Sequence, residues 1–232
     1  MKRREFVLAA PAALASCVIV GGEPGAPAPP PVYVRGDRWV YRGRDGFRVP
    51  IEWEEVREVV AIDHDGIVIR ITQQGSRVNT DRTERLVAPG LVAMGAVFDD
   101  ETRVFAEPLV CFKFPLTPGA TWRQSLANYD LTTGQEDPLL RSTTVGGWKQ
   151  IVTPAGTFDA IMMRVLMQFD LNDPFRWPMQ CNYLFGWSPA VGATVYEERY
   201  ATYVEKGDLN SSIEIRAQNS TLELTSFRRG SG

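Results

Sequence analysis

Residues 56–72 read VREVVAIDHDGIVIRIT, and this stretch predicts a β-hairpin. Runs rich in Val and Ile, which favour strands, lie on both sides of Asp63–Gly66. The Asp-Gly pair supplies the positive φ angle that a tight hairpin turn needs. Short apolar strands separated by turn residues continue towards the C-terminus, so the sequence predicts an all-β fold: a single antiparallel β-sandwich or a partly open β-barrel.

Further turn signals divide the rest of this region. Pro118-Gly119 fits the centre of a type II turn, and residues 153–157 predict a type I turn closed by a left-handed glycine. Val104–Phe114 is predicted to be one long strand ended by a proline, whereas residues 87–97 are predicted to be helical or irregular. Because no repeat and no second linker is evident, residues 33–228 are predicted to form one β domain.

The first 16 residues have the layout of a secretory signal peptide. The basic residues Lys2–Arg4 precede the apolar run Phe6–Leu14, which is too short to span a bilayer. The run ends in Leu14-Ala15-Ser16-Cys17, which resembles the lipobox of bacterial lipoproteins. That resemblance implies cleavage before Cys17 and a diacylglycerol on its thiol.

Two alternatives remain open for this signal. Cleavage near Ala15 would give a plain secreted protein in which Cys17 is incidental. The adjacent arginines followed by Phe6 also resemble the twin-arginine export motif, although Lys2 stands where that motif prefers Ser or Thr. Val18 follows the cysteine, and by the sorting rule known for enteric lipoproteins the absence of Asp there favours the outer over the inner membrane, on the periplasmic side.

Composition sets the remaining limits. Residues 17–32 are rich in Pro, Gly and Ala, so they predict an extended lipid-anchored tether. With 25 Lys plus Arg against 28 Asp plus Glu, the net charge of −3 offers no basic surface for nucleic acid. Membrane attachment would therefore depend on the lipid alone. A single His excludes a metal site built from several histidines, and no cofactor is predicted.

Three phrases occur in order along the β region. They are Phe114-Pro115-Leu116 followed by Pro118-Gly119 and Trp122, then VTPAGTFDA at 152–160, then WSPAVG at 187–192. Together they resemble a group of uncharacterised bacterial envelope proteins with the phrases PLxPGxxW, VPAGTF and YWYxPxVG. The likeness spans Arg38 to Phe227. It implies a β-rich, exported and often lipid-anchored protein, and it supplies no catalytic residue.

The sequence departs from that pattern at two places. Residues 184–186 read LFG where the group tends to be aromatic, and residues 171–181 are longer than usual. The motif residues themselves are explained as hairpin turns and packed aromatic side chains.

Groups that could carry chemistry are few. His64 lies between Asp63 and Asp65. It either binds a metal or acts as a general base together with these carboxylates, or it lies in a solvated hairpin turn without a chemical role. Paired carboxylates could hydrolyse glycosides without a histidine. The acidic candidates are Glu52, Glu54, Glu55, Glu58, Asp159, Glu197 and Glu198. Because neighbours on a strand face opposite sides, the last two cannot converge on one substrate, and no catalytic or metal-binding residue is predicted.

Cys111 and Cys181 remain once Cys17 is assigned to the lipid. An oxidising envelope compartment and an even number of cysteines favour a disulfide between them, and two separate buried thiols are the alternative.

The segment Asp173–Pro178 brackets two aromatic residues between prolines. A loop this short cannot bury both rings, so Phe175, Arg176 and Trp177 are predicted to form a partner-binding loop.

The function that follows is a lipid-anchored envelope protein acting as a non-enzymatic binding or structural module, with an envelope protein, a glycan or a lipid as ligand. The alternative is a carrier of lipid or lipoprotein with an open barrel cavity, and a carboxylate-based hydrolase is a third. An apolar cavity would favour the carrier. Converging carboxylates would favour the hydrolase, and a filled barrel would favour the binding module.

Overall fold

Twelve antiparallel strands close into one barrel in the computed structural model, which describes residues 21–47, 49–98, 101–170, 174–206 and 213–231. The all-β prediction is confirmed, and the barrel is closed rather than partly open. The signal peptide and Cys17 lie outside the described residues. Across the part of the chain that is described, no helix has the length and apolar character needed to cross a membrane.

Each strand pairs with its neighbours in sequence, and β12 pairs with β1 to close the ring. The strands are β1 Arg38–Asp45, β2 Glu52–Asp63, β3 Gly66–Gly75, β4 Asn79–Ala88, β5 Leu91–Ala96, β6 Thr102–Val110, β7 Thr121–Asp130, β8 Glu136–Thr153, β9 Gly156–Phe169, β10 Met179–Ser188, β11 Ala193–Glu205 and β12 Ile213–Arg228.

Alternation along the strands places the core inside the barrel. In β9, Val165, Met167 and Phe169 are buried, whereas the intervening Leu166 is half exposed. Successive side chains of a strand point to opposite faces, so one face of β9 forms part of the core and the other faces outwards.

Local turn chemistry is as predicted. Gly119 and Gly156 both have positive φ angles, of 84° and 137°. The β8–β9 hairpin turns at the predicted place, and its tip reaches β12, where the Ala155 amide donates to the Leu224 carbonyl.

Two predicted elements are wrong. Strand β6 ends at Val110, not Phe114, because the amides of Cys111 and Phe112 turn away to the carbonyl of Gly90. Residues 87–97 are not helical: they contain the end of β4 and all of β5, since the Pro-Gly pair closes a tight turn between two strands.

The connections alternate between the two ends of the barrel because all neighbouring strands are antiparallel. We call one end the tether end: it carries the segment before β1, the C-terminus, and the β2–β3, β4–β5, β6–β7, β8–β9 and β10–β11 connections. The other, the far end, carries the remaining six.

Part of the predicted tether lies against the tether end. Glu23 exchanges backbone hydrogen bonds with Trp148, both 2.7 Å long, and Ala28 does the same with Leu116 at 2.9 Å. Ala28 is fully buried. The chain is extended here, and backbone pairing fixes its path onto the barrel.

Candidate functional site: the barrel interior

A buried ion network crosses the interior between β2 and β11. The Arg57 guanidinium lies 2.6 Å from a Glu55 oxygen and 2.7 Å from a Glu197 oxygen. Both carboxylates are almost completely buried. Arg57 also stacks 4.5 Å from the centre of the Tyr41 ring. One guanidinium therefore joins two strands that are not neighbours in the barrel.

Surrounding donors complete this network. Arg199 donates to the second Glu197 oxygen, the Thr194 hydroxyl donates to the first, and the Gln73 amide donates to Glu55 at 2.9 Å. Tyr41 donates its hydroxyl proton to the Thr194 carbonyl at 2.9 Å. Buried charges are tolerated when they are paired and hydrogen-bonded in this way.

The carboxylates of this network are ionised. Burial alone would raise the pKa of Glu55 and of Glu197, but Arg57 and Arg199 outweigh it and hold both pKa values below the usual range. A general acid of a glycosidase needs the opposite, a raised pKa. Glu55 and Glu197 are thus brought together as partners of arginines, and neither can hold a proton for catalysis near neutral pH.

The other carboxylate candidates do not converge. Glu197 and Glu198 face opposite sides of β11, as expected, and Glu198 accepts a hydrogen bond from the Tyr196 hydroxyl on the outer surface. Glu52, Glu54 and Asp159 are exposed. Glu58 lies with Glu54 in a shallow groove outside the barrel.

His64 occupies the solvated hairpin tip. Its side chain is 90% exposed, and ligand atoms of Asp63, His64 and Asp65 come within 4.8 Å of one another. All three residues are exposed, and the Asp63 carboxylate accepts the amide of Asp65 as a turn requires. The geometry is that of a hairpin turn.

A second buried network lies between β6 and β8. Arg103 pairs with Asp137 at 2.7 Å, and its guanidinium stacks 4.8 Å from the Phe169 ring centre. Asn128 donates to the Asp137 carbonyl at 2.7 Å. The sequence did not predict these residues, because no local pattern marks a charged side chain as inward-facing.

A cavity of about 210 Å³ remains inside the barrel. At the tether end its wall includes Tyr33, which packs edge-on against Trp39 with ring centres 6.0 Å apart. Apolar side chains form much of the rest: Leu109, Phe112, Met167 and Phe185. Four arginines also line it, Arg57, Arg82, Arg141 and Arg199. The described residues thus leave a small cavity of mixed apolar and charged character inside the barrel.

Cys111 and Cys181 are both thiols in the structure. The Cys111 carbonyl accepts a hydrogen bond from the Arg141 side chain. In the sheet, Arg141 of β8 lies opposite Met167 of β9, and Met167 lies opposite Cys181 of β10. Two strand spacings, about 10 Å along the sheet, thus separate Arg141 from Cys181. The disulfide remains a prediction.

The predicted loop lies at the far end. The side chains of Phe175 and Trp177 are 74% and 58% exposed. Backbone hydrogen bonds join the loop to the end of β11, from the Trp177 amide to the Val204 carbonyl and from the Lys206 amide to the Phe175 carbonyl. The Arg176 guanidinium stacks over the Tyr203 ring at 4.5 Å.

Two solved structures share the fold. One is a protein from Bacteroides fragilis described as exported and of YmcC-like fold, with a TM-score of 0.52 and 12% identity, matching 88% of this chain and 100% of its own. The other is from Parabacteroides distasonis, described as a lipoprotein, with a TM-score of 0.50, 13% identity and the same coverage. At such identities the likeness shows the fold alone. No protein-family model and no curated protein matches the chain, and the resemblance carried by the three motifs remains a prediction.

Proposed function

We propose that this chain is a lipid-anchored barrel of the bacterial envelope that binds a partner protein through the loop Phe175–Trp177 and performs no catalysis. The signal and the Leu14–Cys17 phrase support the location, as do two neighbours of the same fold described as an exported protein and a lipoprotein. The observation that carries the binding proposal is the exposure of two aromatic rings on a backbone fixed by hydrogen bonds.

The loop has the composition of a binding hot spot. Trp, Tyr and Arg are enriched among residues that dominate interface energies. The Lys206 ammonium lies 4.9 Å from the Trp177 ring centre, and Arg176 stacks on Tyr203. Two cations beside two exposed rings favour a partner surface that is apolar at its centre and acidic at its edge.

The position of the loop favours a partner protein over the bilayer. The tether joins the barrel at the tether end, whereas the loop lies at the far end. A lipid on Cys17 would hold the membrane nearer the tether end than the far end, where Phe175 and Trp177 lie. A partner that approaches from the periplasmic space meets these rings first.

The interior does not favour the two alternatives. A cavity of about 210 Å³ is smaller than the ~300–1,000 Å³ of pockets that enclose drug-sized ligands, and a diacyl lipid is larger still. For the hydrolase, the two converging carboxylates are both ionised by arginines.

Site-specific photocrosslinking in cells tests the loop. A photoreactive amino acid at Phe175 or at Trp177 should give one discrete protein adduct. The matched control is Val152, which is 74% exposed but lies in the β8–β9 hairpin at the tether end. Equal labelling from Val152, or no protein adduct from either loop position, would contradict the proposal, as would adducts made only with glycan or lipid.

Lipidation has its own test. Cys17→Ser should move the protein from the membrane to the soluble fraction, because the mildly acidic barrel offers no other means of attachment to an anionic surface. Membrane fractionation with high-salt washing measures this. If the variant and the natural protein sediment equally with membranes, Cys17 is not the anchor.

A further inference from the structure

We propose that the barrel cavity is a binding site for a small organic carboxylate, whose carboxylate group pairs with Arg141. This site is separate from the loop at the far end and does not depend on the proposed function.

Arg141 is held in place but incompletely bonded. The residue is 4% exposed and lines the cavity. Its two terminal nitrogens donate to the carbonyls of Val110 and Cys111, and its Nε, also buried, has no hydrogen-bond partner. A guanidinium has five N–H donors, and the carbonyls of Val110 and Cys111 and the Cys111 sulfur together do not occupy all of them. The two carbonyls fix the plane of the group without neutralising it.

The charge of Arg141 is also uncompensated within the described part of the chain. Arg57 and Arg199 pair with Glu197, and Arg82 pairs with Glu84. Arg141 donates to two backbone carbonyls and to the neutral Cys111 sulfur, and no ion pair to a carboxylate is found for it among the described residues. The nearby Cys111 thiol cannot serve as an anion near neutral pH, because burial raises its pKa despite the adjacent Arg141. Buried charges are normally paired, which makes an anion the missing partner.

The count of charges favours a single negative charge on the ligand. Four arginines line the cavity, and three carboxylates, Glu55, Glu84 and Glu197, pair with three of them. Counted over the described residues alone, the surplus is one positive charge. A monoanionic carboxylate satisfies it, and its two oxygens match the paired N–H groups of a guanidinium.

The size and walls of the cavity define the rest of the ligand. A volume of about 210 Å³ corresponds to about seven waters at the density of the liquid. Because protein interiors are packed more densely, it fits about seven to ten non-hydrogen atoms. Leu109, Phe112, Met167 and Phe185 offer an apolar surface to them. The ligand is therefore a carboxylate on a compact aromatic or short aliphatic body.

Isothermal titration of the full barrel with benzoate, and with its neutral isostere benzamide, tests this at pH 7. Benzoate should bind at least tenfold more tightly than benzamide. Arg141→Met should abolish the difference, while Arg123→Met, which removes an exposed arginine from the outer face of β7, should leave it unchanged. Hexanoate against hexanamide repeats the comparison with an aliphatic body.

Thermal unfolding without ligand provides the folding control. Arg141→Met should still unfold in one cooperative transition, because the desolvation cost of the buried charge that it removes offsets the loss of the two hydrogen bonds to the carbonyls of Val110 and Cys111. If the natural protein binds neither acid, or binds acid and amide equally, the proposal is wrong. It is equally wrong if folded Arg141→Met keeps the preference for the acid.

Discussion

Replacing Arg57 with Met should lower the free energy of unfolding by about 3–5 kcal/mol, the cost typical of breaking a buried ion pair. The substitution leaves Glu55 and Glu197, which are 1% and 2% exposed, without the guanidinium that joins them. For a domain of this size the expected fall in the thermal midpoint is roughly 6–20 °C. Denaturant unfolding at pH 7 measures the energy directly.

The matched control is Arg42→Met. Arg42 forms an equally short ion pair with Glu223, but on the exposed outer surface of the barrel. Solvent screens such pairs, so the control should change the unfolding energy far less than Arg57→Met. Similar losses in the two variants would mean that burial of the network is not what makes it stabilising.

The pH dependence of stability distinguishes the loss of the buried ion pairs in Arg57→Met from a simple packing defect. In the natural protein the folded-state pKa values of Glu55 and Glu197 lie below the unfolded value of 4.5, so their stabilisation is present above about pH 5 and is lost as the pH falls. In Arg57→Met the carboxylates lose their main partner, and protonation then relieves the unpaired charge. The stability difference should therefore shrink from pH 7 to pH 4. A constant difference would indicate lost packing instead.

Gly66→Ala should cost about 2–5 kcal/mol, the second large effect that we expect. Gly66 has a φ angle of 124°, which alone costs an alanine about 1–2 kcal/mol. A Cβ at this position would also lie 2.0 Å from the carbonyl oxygen of Leu86 on the neighbouring β4, so the backbone must shift, at a further cost of about 1–3 kcal/mol.

The chain contains its own control for the second contribution. Gly156 occupies the corresponding place in the β8–β9 hairpin with a φ angle of 137°, but the nearest atom to its Cβ is 3.7 Å away on Phe158. Gly156→Ala should therefore lower the free energy of unfolding only by the cost of the positive φ angle. If unfolding curves give equal losses for both variants, the contact with Leu86 relaxes without cost.

Local chemistry explains which parts of the fold could be predicted. The hairpin turns depend on residues such as Gly119 and Gly156, whose conformational freedom is a property of the residue itself. Closure of the barrel depends instead on pairing such as Arg38 with Arg228, between the two ends of the β domain. No local pattern reports that contact, so the sequence could not distinguish a closed barrel from an open one or from a sandwich.

The interior charges could not be predicted for a related reason. In β2 the inward residues are Glu55, Arg57 and Val59, whereas Val56 faces an outer groove. Hydrophobic alternation therefore assigns no clear inner face to this strand. The Arg57 network forms only when β11 lies opposite β2 in the folded barrel. By contrast, the exposure of Phe175 and Trp177 was predictable, because two prolines around two aromatic residues leave little room for burial.

The backbone hydrogen bonds between Glu23 and Trp148 limit the length of the free tether between the lipid and the barrel. Only six residues lead from Cys17 to Glu23, and a fully extended chain of that length spans about 20 Å. From Trp148 the tilted strand β8 runs twelve residues to Glu136 at the far end, which adds roughly 30 Å. With a lipid on Cys17, the far end would thus stand at most about 50 Å above the bilayer. The barrel could then bind partners only within the layer next to the membrane. A partner protein must itself extend into that layer to contact the loop.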